Sequence, residues 1–361
     1  MKAAVLRAYH TPLTIEEVEL ASPGPREVLV KTHACGVCHS DLHVLEGSLP
    51  VPPPVVLGHE PAGVVEAVGT EVTYLSPGDH VIACLSVFCG TCNYCLSGRT
   101  NLCGGMATTR KPDEPPRISQ NGTPIGQFAH LSGFAERMLL HENALVKIRE
   151  DMPLEQAALI GCGVTTGMGA ALNTANIAPG SSVAVIGCGG VGLSALQGAR
   201  IAGAGRIIAI DTIPWKLELA RKLGASDVVN AADGDPVAAV RELARGGVET
   251  AFECIGTVPT CQQALAMVCR GGTAVMVGVV PVGVAVALPI FDLVLSGKKI
   301  VGSMMGDNRF RIDMPRYVDF YLDGRLRLDE MISARIALED VNDAFAKMKA
   351  GEVARSVIVF D

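Results

Sequence analysis

Gly187-Cys188-Gly189-Gly190-Val191-Gly192 has the spacing G-x-G-x-x-G and stands between an apolar run, Val183–Ile186, and a helical pattern, Val191–Ala202. In such a turn the first glycine permits the bend, the second lets backbone approach a pyrophosphate, and the third allows close packing of helix on strand. The amides that open the helix then face the anion. Asp211 closes the next apolar run, Arg206–Asp211. A carboxylate there accepts hydrogen bonds from an adenosine ribose diol and repels a 2′-phosphate. These residues predict a dinucleotide site that prefers NAD to NADP, with Lys216 as a further ribose contact. A glycine motif alone reads equally as a tight turn; the strand, helix and acid around it favour the cofactor.

Cys89, Cys92, Cys95 and Cys103 offer four thiolates on one short stretch. Tetrahedral Zn²⁺ accepts four sulfurs and closes its shell, so this group predicts a structural site. A second group is dispersed: Cys38 in Cys35-Gly-Val-Cys-His-Ser-Asp41, His59 and Glu60 after Gly58, and Cys162 between Gly161 and Gly163. Two thiolates and one imidazole make a zinc site with an open fourth position, the mark of a catalytic metal. Asp41 would orient His59 through its second ring nitrogen. Glu60 reads either as an occasional ligand or as the buried partner of a basic group.

The elements that must hold these residues fall into two kinds. Residues 1–160 are rich in short β-branched runs, such as Val28–Lys31, Gly63–Glu66 and His80–Ala83, set between Gly/Pro turns. Val51-Pro-Pro-Pro-Val55 must be an extended loop. Residues 105–127 read as a long polar surface excursion. From about 163 the pattern becomes apolar strands alternating with helices, Trp215–Leu223 and Pro236–Arg245 among them, which predicts a parallel sheet covered on both faces. After about 304 the alternation breaks up. Arg316–Asp323 and Asp340–Ala350 read as helices, and Ser356–Phe360 as a closing strand that belongs with the first region. The α/β domain, 164–304, is thus expected as an insertion in a β-rich domain, 1–163 and 305–361, with the zinc lobe at 84–104.

The chain has 361 residues, a formal net charge of −7 and 49% hydrophobic residues, against 19% charged. That balance excludes disorder. The negative charge, without a basic stripe, argues against nucleic acid and anionic membrane as partners. No apolar run approaches a membrane span and no secretory leader is visible, so a cytoplasmic protein is expected. In that setting cysteines point to metal rather than disulfides.

Together these motifs resemble the zinc-dependent medium-chain alcohol dehydrogenases. Gly-Val-Cys-His-Ser-Asp, Gly-His-Glu, the four-cysteine lobe, Gly-Cys-Gly-Val-Thr-Thr-Gly and Gly-x-Gly-Gly-Val-Gly follow in that family's order, between Lys2 and Phe360. The resemblance implies a doubly wound Rossmann domain inserted in a β-rich GroES-like catalytic domain, one NAD and two Zn²⁺ per chain. It implies Cys38, His59 and Cys162 on the catalytic zinc and Cys89, Cys92, Cys95 and Cys103 on the structural one. It also implies Ser40 as the hydroxyl beside the metal, His43 as the relay imidazole, His39 and Arg355 on the pyrophosphate, and Thr166 and Val279 at the cofactor. His39 stands where many relatives carry Arg, so faster, more pH-dependent NADH release is expected.

The expected reaction is reversible hydride transfer between an alcohol and NAD⁺, with zinc as the Lewis acid. Positions matching the family's alcohol pocket are Leu49, Leu85, Phe128, Val279 and Met304, all apolar. They favour primary, and some secondary, alcohols with apolar aliphatic or aromatic tails. The rivals are a glutathione-dependent formaldehyde dehydrogenase, a polyol dehydrogenase and, from a different class, a zinc-ribbon interaction module. By resemblance, the long 105–127 loop points to a homodimer rather than a tetramer.

Overall fold

The computed structural model describes residues 1–104, 108–111 and 113–361. It divides into two compact units, Met1–Cys162 with Arg309–Asp361, and Gly163–Asn308. The return crossing thus falls at 308/309 rather than 304/305. The reason is local: Asn173 donates to the Gly306 carbonyl and Thr174 to the Asp307 carboxylate, which ties the 304–308 turn to the inserted unit.

In the first unit the larger sheet runs, edge to edge, through Leu145–Lys147, His80–Ala83, Glu60–Val68, Glu27–Gly36, Arg355–Val359 and Ile332–Ile336, with Arg137–His141 also on Glu27–Gly36. Gly36 faces Glu60 on one neighbour and Val357 on the other, which brings Glu60 and Arg355 together. A Cβ on Gly36 would stand 2.2 Å from Glu60 Oε2, so only glycine leaves room for that carboxylate. A smaller sheet includes Lys2–Leu6, Val55–Val56 and Thr123–Gln127. Leu6, Val44, Leu57 and Phe134 are fully buried around it.

Two sequence expectations need correction here. The 105–127 stretch is not all excursion: Ile118–Gln120 and Thr123–Gln127 form an antiparallel hairpin. Its turn is Asn121-Gly122, both with positive φ, the dipeptide that tight hairpins prefer. Buried Ile118 and Ile125 anchor it. Residues 105–107 and 112 of that stretch lie outside the described residues. Second, the helix expected at 316–323 spans Phe310–Leu322 and contains Pro315. The proline removes one amide donor, but Phe310, Met314, Tyr317 and Val318 bury one continuous face and hold the two halves together.

The second unit carries a six-stranded parallel sheet ordered Asp227–Asn230, Arg206–Asp211, Ser182–Ile186, Val248–Glu253, Val268–Met276, Lys299–Gly302. The chain starts in the middle, builds one edge, then returns to build the other. Helices Gly190–Ile201, Pro214–Leu223, Pro236–Leu243 and Val258–Met267 connect these strands. Among the described residues no helix is long and apolar enough to cross a membrane.

Candidate active site and metal centres

Cys38 is the extended residue before helix His39–Leu45, and Asp41 lies fully buried in that helix's first turn. Asp41 Oδ1 accepts from the Gly58 amide at 2.9 Å and from His59 Nδ1 at 3.0 Å; its Oδ2 accepts from the Cys38 amide at 3.3 Å. One carboxylate therefore joins the two segments that carry Cys38 and His59. Cys162 comes from a π turn, Ile160–Val164, a distortion common at functional sites. The ligand atoms of Cys38, His59, Glu60 and Cys162 all lie within 4.8 Å of one another, and all four residues are buried.

This group fits a metal. His59 Nε2 is buried with no hydrogen-bond partner, an expensive state unless a ligand takes its lone pair. Two sulfurs and an imidazole suit zinc. The Cys38 thiol is held well below the usual thiol range, chiefly by a hydrogen bond from Cys162 and then by the nearby Arg355 and His59 charges. Burial pushes Glu60 up to about 7 against the pull of Arg355. Arg355 Nη2 lies 3.4 Å from Glu60 Oε1, and its Nη1 donates to the Val37 carbonyl at 3.3 Å. Glu60 borders the cluster and pairs with a base, Arg355. Arg355, assigned by resemblance to the pyrophosphate, is 5% exposed and turned towards Glu60.

The second cluster gathers Cys89, Cys92, Cys95 and Cys103, all free thiols. Cys89 and Cys95 Sγ are 3.9 Å apart, Cys92 and Cys95 Sγ 3.5 Å. Four sulfurs at ~2.3 Å from a tetrahedral zinc would be roughly 3.8 Å apart. The lobe is close to that geometry.

Around the first cluster, Phe128 sets its ring edge-on to His59, with centroids 5.2 Å apart at 82°. Ser40, His43, Leu49 and Leu85 are half-buried and His39 is exposed. His43 Nδ1 is 3.3 Å from Ser48 Oγ, and that hydroxyl also donates to the His43 carbonyl at 3.1 Å. Sequence reasoning missed Ser48. The available signal was a hydroxyl in the Gly47-Ser48 turn that ends the His43 helix.

In the second unit Gly187 has φ +94°, and a Cβ on Gly192 would stand 1.7 Å from the Gly187 carbonyl oxygen. At Gly189 a Cβ would meet nothing within 4 Å. That open space, where a side chain would otherwise sit, fits a pyrophosphate on the loop that opens helix Gly190–Ile201. Asp211 Oδ2 accepts from the Cys188 amide at 2.7 Å, and Oδ1 from Thr212 and Ile213 at 2.8 and 3.0 Å. The glycine loop itself therefore orients the Asp211 carboxylate. Lys216 Nζ stands 5.7 Å over the Trp215 ring. Thr166 is buried and donates to Met305 Sδ at 3.2 Å. Val279 and Met304 are 70% and 51% exposed.

Two family models match the chain: the alcohol dehydrogenase GroES-like domain over residues 24–150, and zinc-binding dehydrogenase over 190–323. An S-(hydroxymethyl)glutathione dehydrogenase of Escherichia coli O1:K1 is 43% identical, with 99% of each chain covered. Among solved structures, an alcohol dehydrogenase zinc-binding domain protein from Burkholderia ambifaria superposes with TM-score 0.95 at 37% identity, covering 100% of this chain and 98% of that one. Benzyl alcohol dehydrogenase from Acinetobacter calcoaceticus gives 0.94 at 34% identity, covering 100% and 99%. The chain belongs to the zinc-dependent alcohol dehydrogenase family of medium-chain dehydrogenases. It is an oxidoreductase with NAD and zinc as cofactors, built from a GroES-like and a Rossmann-like domain.

Proposed function

We propose that this enzyme oxidises primary alcohols with apolar aromatic or medium-chain aliphatic tails to aldehydes, reversibly, and accepts some secondary alcohols. The observation that carries the substrate class is the segment Gly47–Pro54, which holds no charged residue. The nearest acid, Glu46, is ion-paired to Lys349 at 2.6 Å. Beyond the zinc lobe, Arg110 pairs with Glu27 and donates to the Ser22 and Pro115 carbonyls. These groups are engaged elsewhere, which supports a substrate other than a glutathione adduct. Phe128 against His59, with Leu49 and Leu85 half-buried in the same unit, offers apolar surface, where a polyol would lose hydrogen bonds to water.

In this reading Cys38, His59 and Cys162 hold the catalytic zinc, with Glu60 beside it, and the four-cysteine lobe holds a second, structural zinc. Gly187–Gly192, Asp211, Lys216, Thr166, Val279, His39 and Arg355 serve NAD. Bound zinc supplies the Lewis acid that lowers an alcohol's pKa, and bound NAD⁺ accepts the hydride. Ser40 takes the hydroxyl proton, and His43 passes it outward to solvent. Asp41 keeps His59 in the Nδ1–H tautomer, so that Nε2 faces the metal.

The test is a kcat/KM panel with NAD⁺. The expected profile rises from ethanol to hexanol and benzyl alcohol, by up to ~0.8 kcal/mol for each methylene that finds apolar contact. The second reading, oxidation of the glutathione adduct of formaldehyde, has the 43% identical relative in its favour. A peak at that adduct, with little turnover of benzyl alcohol, would establish it instead.

The enzyme acts as a cytoplasmic homodimer in this proposal. Val282, Ile290, Phe291, Val294 and Leu295 are 57–80% exposed within one short stretch of the second unit, next in sequence to the edge strand Lys299–Gly302. An exposed apolar group of that size marks an association face. Phe291→Glu should convert the dimer to monomer in light scattering; an unchanged mass, or a parent monomer, refutes this face.

A further inference from the structure

Residues Met305, Gly306 and Asp307 have φ of 51°, 66° and 46°, a run of left-handed backbone in which two members carry side chains. Non-glycine residues avoid that region, and such runs persist only where surrounding structure over-determines them. Here the surroundings can be named. Thr174 Oγ1 donates to Asp307 Oδ2 at 2.6 Å and lies 2.7 Å from Ser303 Oγ. A hydroxyl has one proton, so Ser303 must be the donor to Thr174, and the chain runs Ser303 to Thr174 to Asp307. Asn173 Nδ2 donates to the Gly306 carbonyl at 3.1 Å, and Asn308 Nδ2 to the Met305 carbonyl at 2.8 Å.

Asn173 and Thr174 end a π turn, Ala170–Thr174. The helix thus uses a widened turn to present two polar side chains, side by side, to one five-residue loop. The approach is close enough to demand glycine on both sides. A Cβ on Gly169 would stand 2.3 Å from the Gly306 oxygen, and one on Gly306 would stand 2.5 Å from the Thr165 oxygen. At the far end of this clamp, Met305 Sδ receives the Thr166 hydroxyl at 3.2 Å.

We propose that Thr174 is a positioning residue for hydride transfer: it locks the left-handed turn 305–307, and through Met305 fixes Thr166 where it meets the nicotinamide. The proposal rests on the reading of Thr166 as a cofactor contact. In this proposal Thr174 acts through the turn and Met305 rather than by contact of its own. Small displacements of positioning groups cost rate steeply, up to about 10²-fold per ångström.

The test compares parent, Thr174→Val, which keeps the branched shape but loses the hydroxyl, and Thr174→Ser, which restores it. NADH affinity is measured by fluorescence titration, and kcat and both KM values with benzyl alcohol; thermal midpoint and zinc content are controls. Thr174→Val should weaken NADH binding and lower kcat each by about tenfold, with KM for the alcohol and zinc content within twofold of parent. Thr174→Ser should recover most of both losses. Ser303→Ala, which removes the first link of the chain, should repeat the valine pattern and stands in if the valine variant fails to fold. An active parent with unchanged NADH affinity and kcat in Thr174→Val overturns the clamp alone. Losses that Ser does not rescue and that only track the thermal midpoint also overturn it. A parent that binds no NADH overturns the cofactor reading together with the clamp.

Discussion

His59 Nδ1 and Asp41 Oδ1 are 3.0 Å apart, both fully buried, and the same carboxylate receives the Gly58 and Cys38 amides. Asp41 therefore selects the ring tautomer and spaces two segments that are far apart in the chain. Asp41→Asn keeps the shape but offers one of those donors an amide NH₂ instead of an oxygen. Zinc affinity should fall by roughly 10–100-fold, read by competition with a chromophoric chelator. An affinity equal to the parent's would make Asp41 a structural residue only.

The two clusters should differ in consequence. Metal analysis of the reconstituted parent should give two zinc per chain. Cys162→Ala should retain about one zinc, stay folded and still bind NADH, while losing most activity. Cys95→Ala should lower soluble yield and thermal stability, because the energy of a structural site is folding energy. One zinc or fewer in the parent would falsify the two-site assignment.

Asp211 is oriented by the Cys188, Thr212 and Ile213 amides, so its removal should affect the loop together with the proposed ribose contact. Asp211→Gly should lower kcat/KM for NAD⁺ by roughly 10–100-fold, the size of a charge-assisted hydrogen bond, and raise it for NADP⁺. A parent that already prefers NADP⁺ would show that Asp211 does not face the ribose.

The proposed relay through His43 would open to solvent at Ser48, which is exposed and 3.3 Å from His43 Nδ1. His43→Gln should slow alcohol oxidation more near neutral pH than at high pH, where the proton leaves without a relay. Ser48→Ala should show the same trend at a smaller scale, about 2–10-fold near neutrality. A pH-independent loss in both would reduce the pair to packing.

Glu27 ties Arg110 and Arg117 to the larger sheet, with Arg117 Nε at 2.7 Å. Burial alone would raise its pKa, but these hydrogen bonds and that of the Gly24 amide hold it at about 2. A depressed folded-state pKa stabilises above the ordinary glutamate value and loses that stabilisation as pH falls towards 2. At neutral pH the effect is on the order of 3 kcal/mol. Glu27→Gln should therefore destabilise clearly at pH 7 and much less at pH 2–3, in urea titrations at each pH. A difference that does not shrink in acid would exclude this ion-pair origin.

Much of this enzyme is legible along the chain, because its chemistry is written in local spacing. Gly187, Gly189 and Gly192 meet steric demands set within a few residues, and the lobe cysteines span only 89–103. Period and apolar runs likewise mark the central parallel strands Ser182–Ile186 and Arg206–Asp211, which are buried on both faces and need no register information. The hairpin 118–127 was legible too, in Asn121-Gly122, but polar residues around it obscured the signal.

What the tertiary structure alone decided concerns groups that meet across large sequence separations. Arg355 stands against Glu60 because two strands flank Gly36. Arg110 is engaged by Glu27, far back in the chain. The Thr174 clamp joins residues 173–174 to 303–308. A single hydroxyl or guanidinium carries no periodic signature, and its partner is chosen by the geometry of packing rather than by neighbours in the chain. Sequence therefore determined which chemistry this protein holds, and folding determined which residues hold that chemistry still.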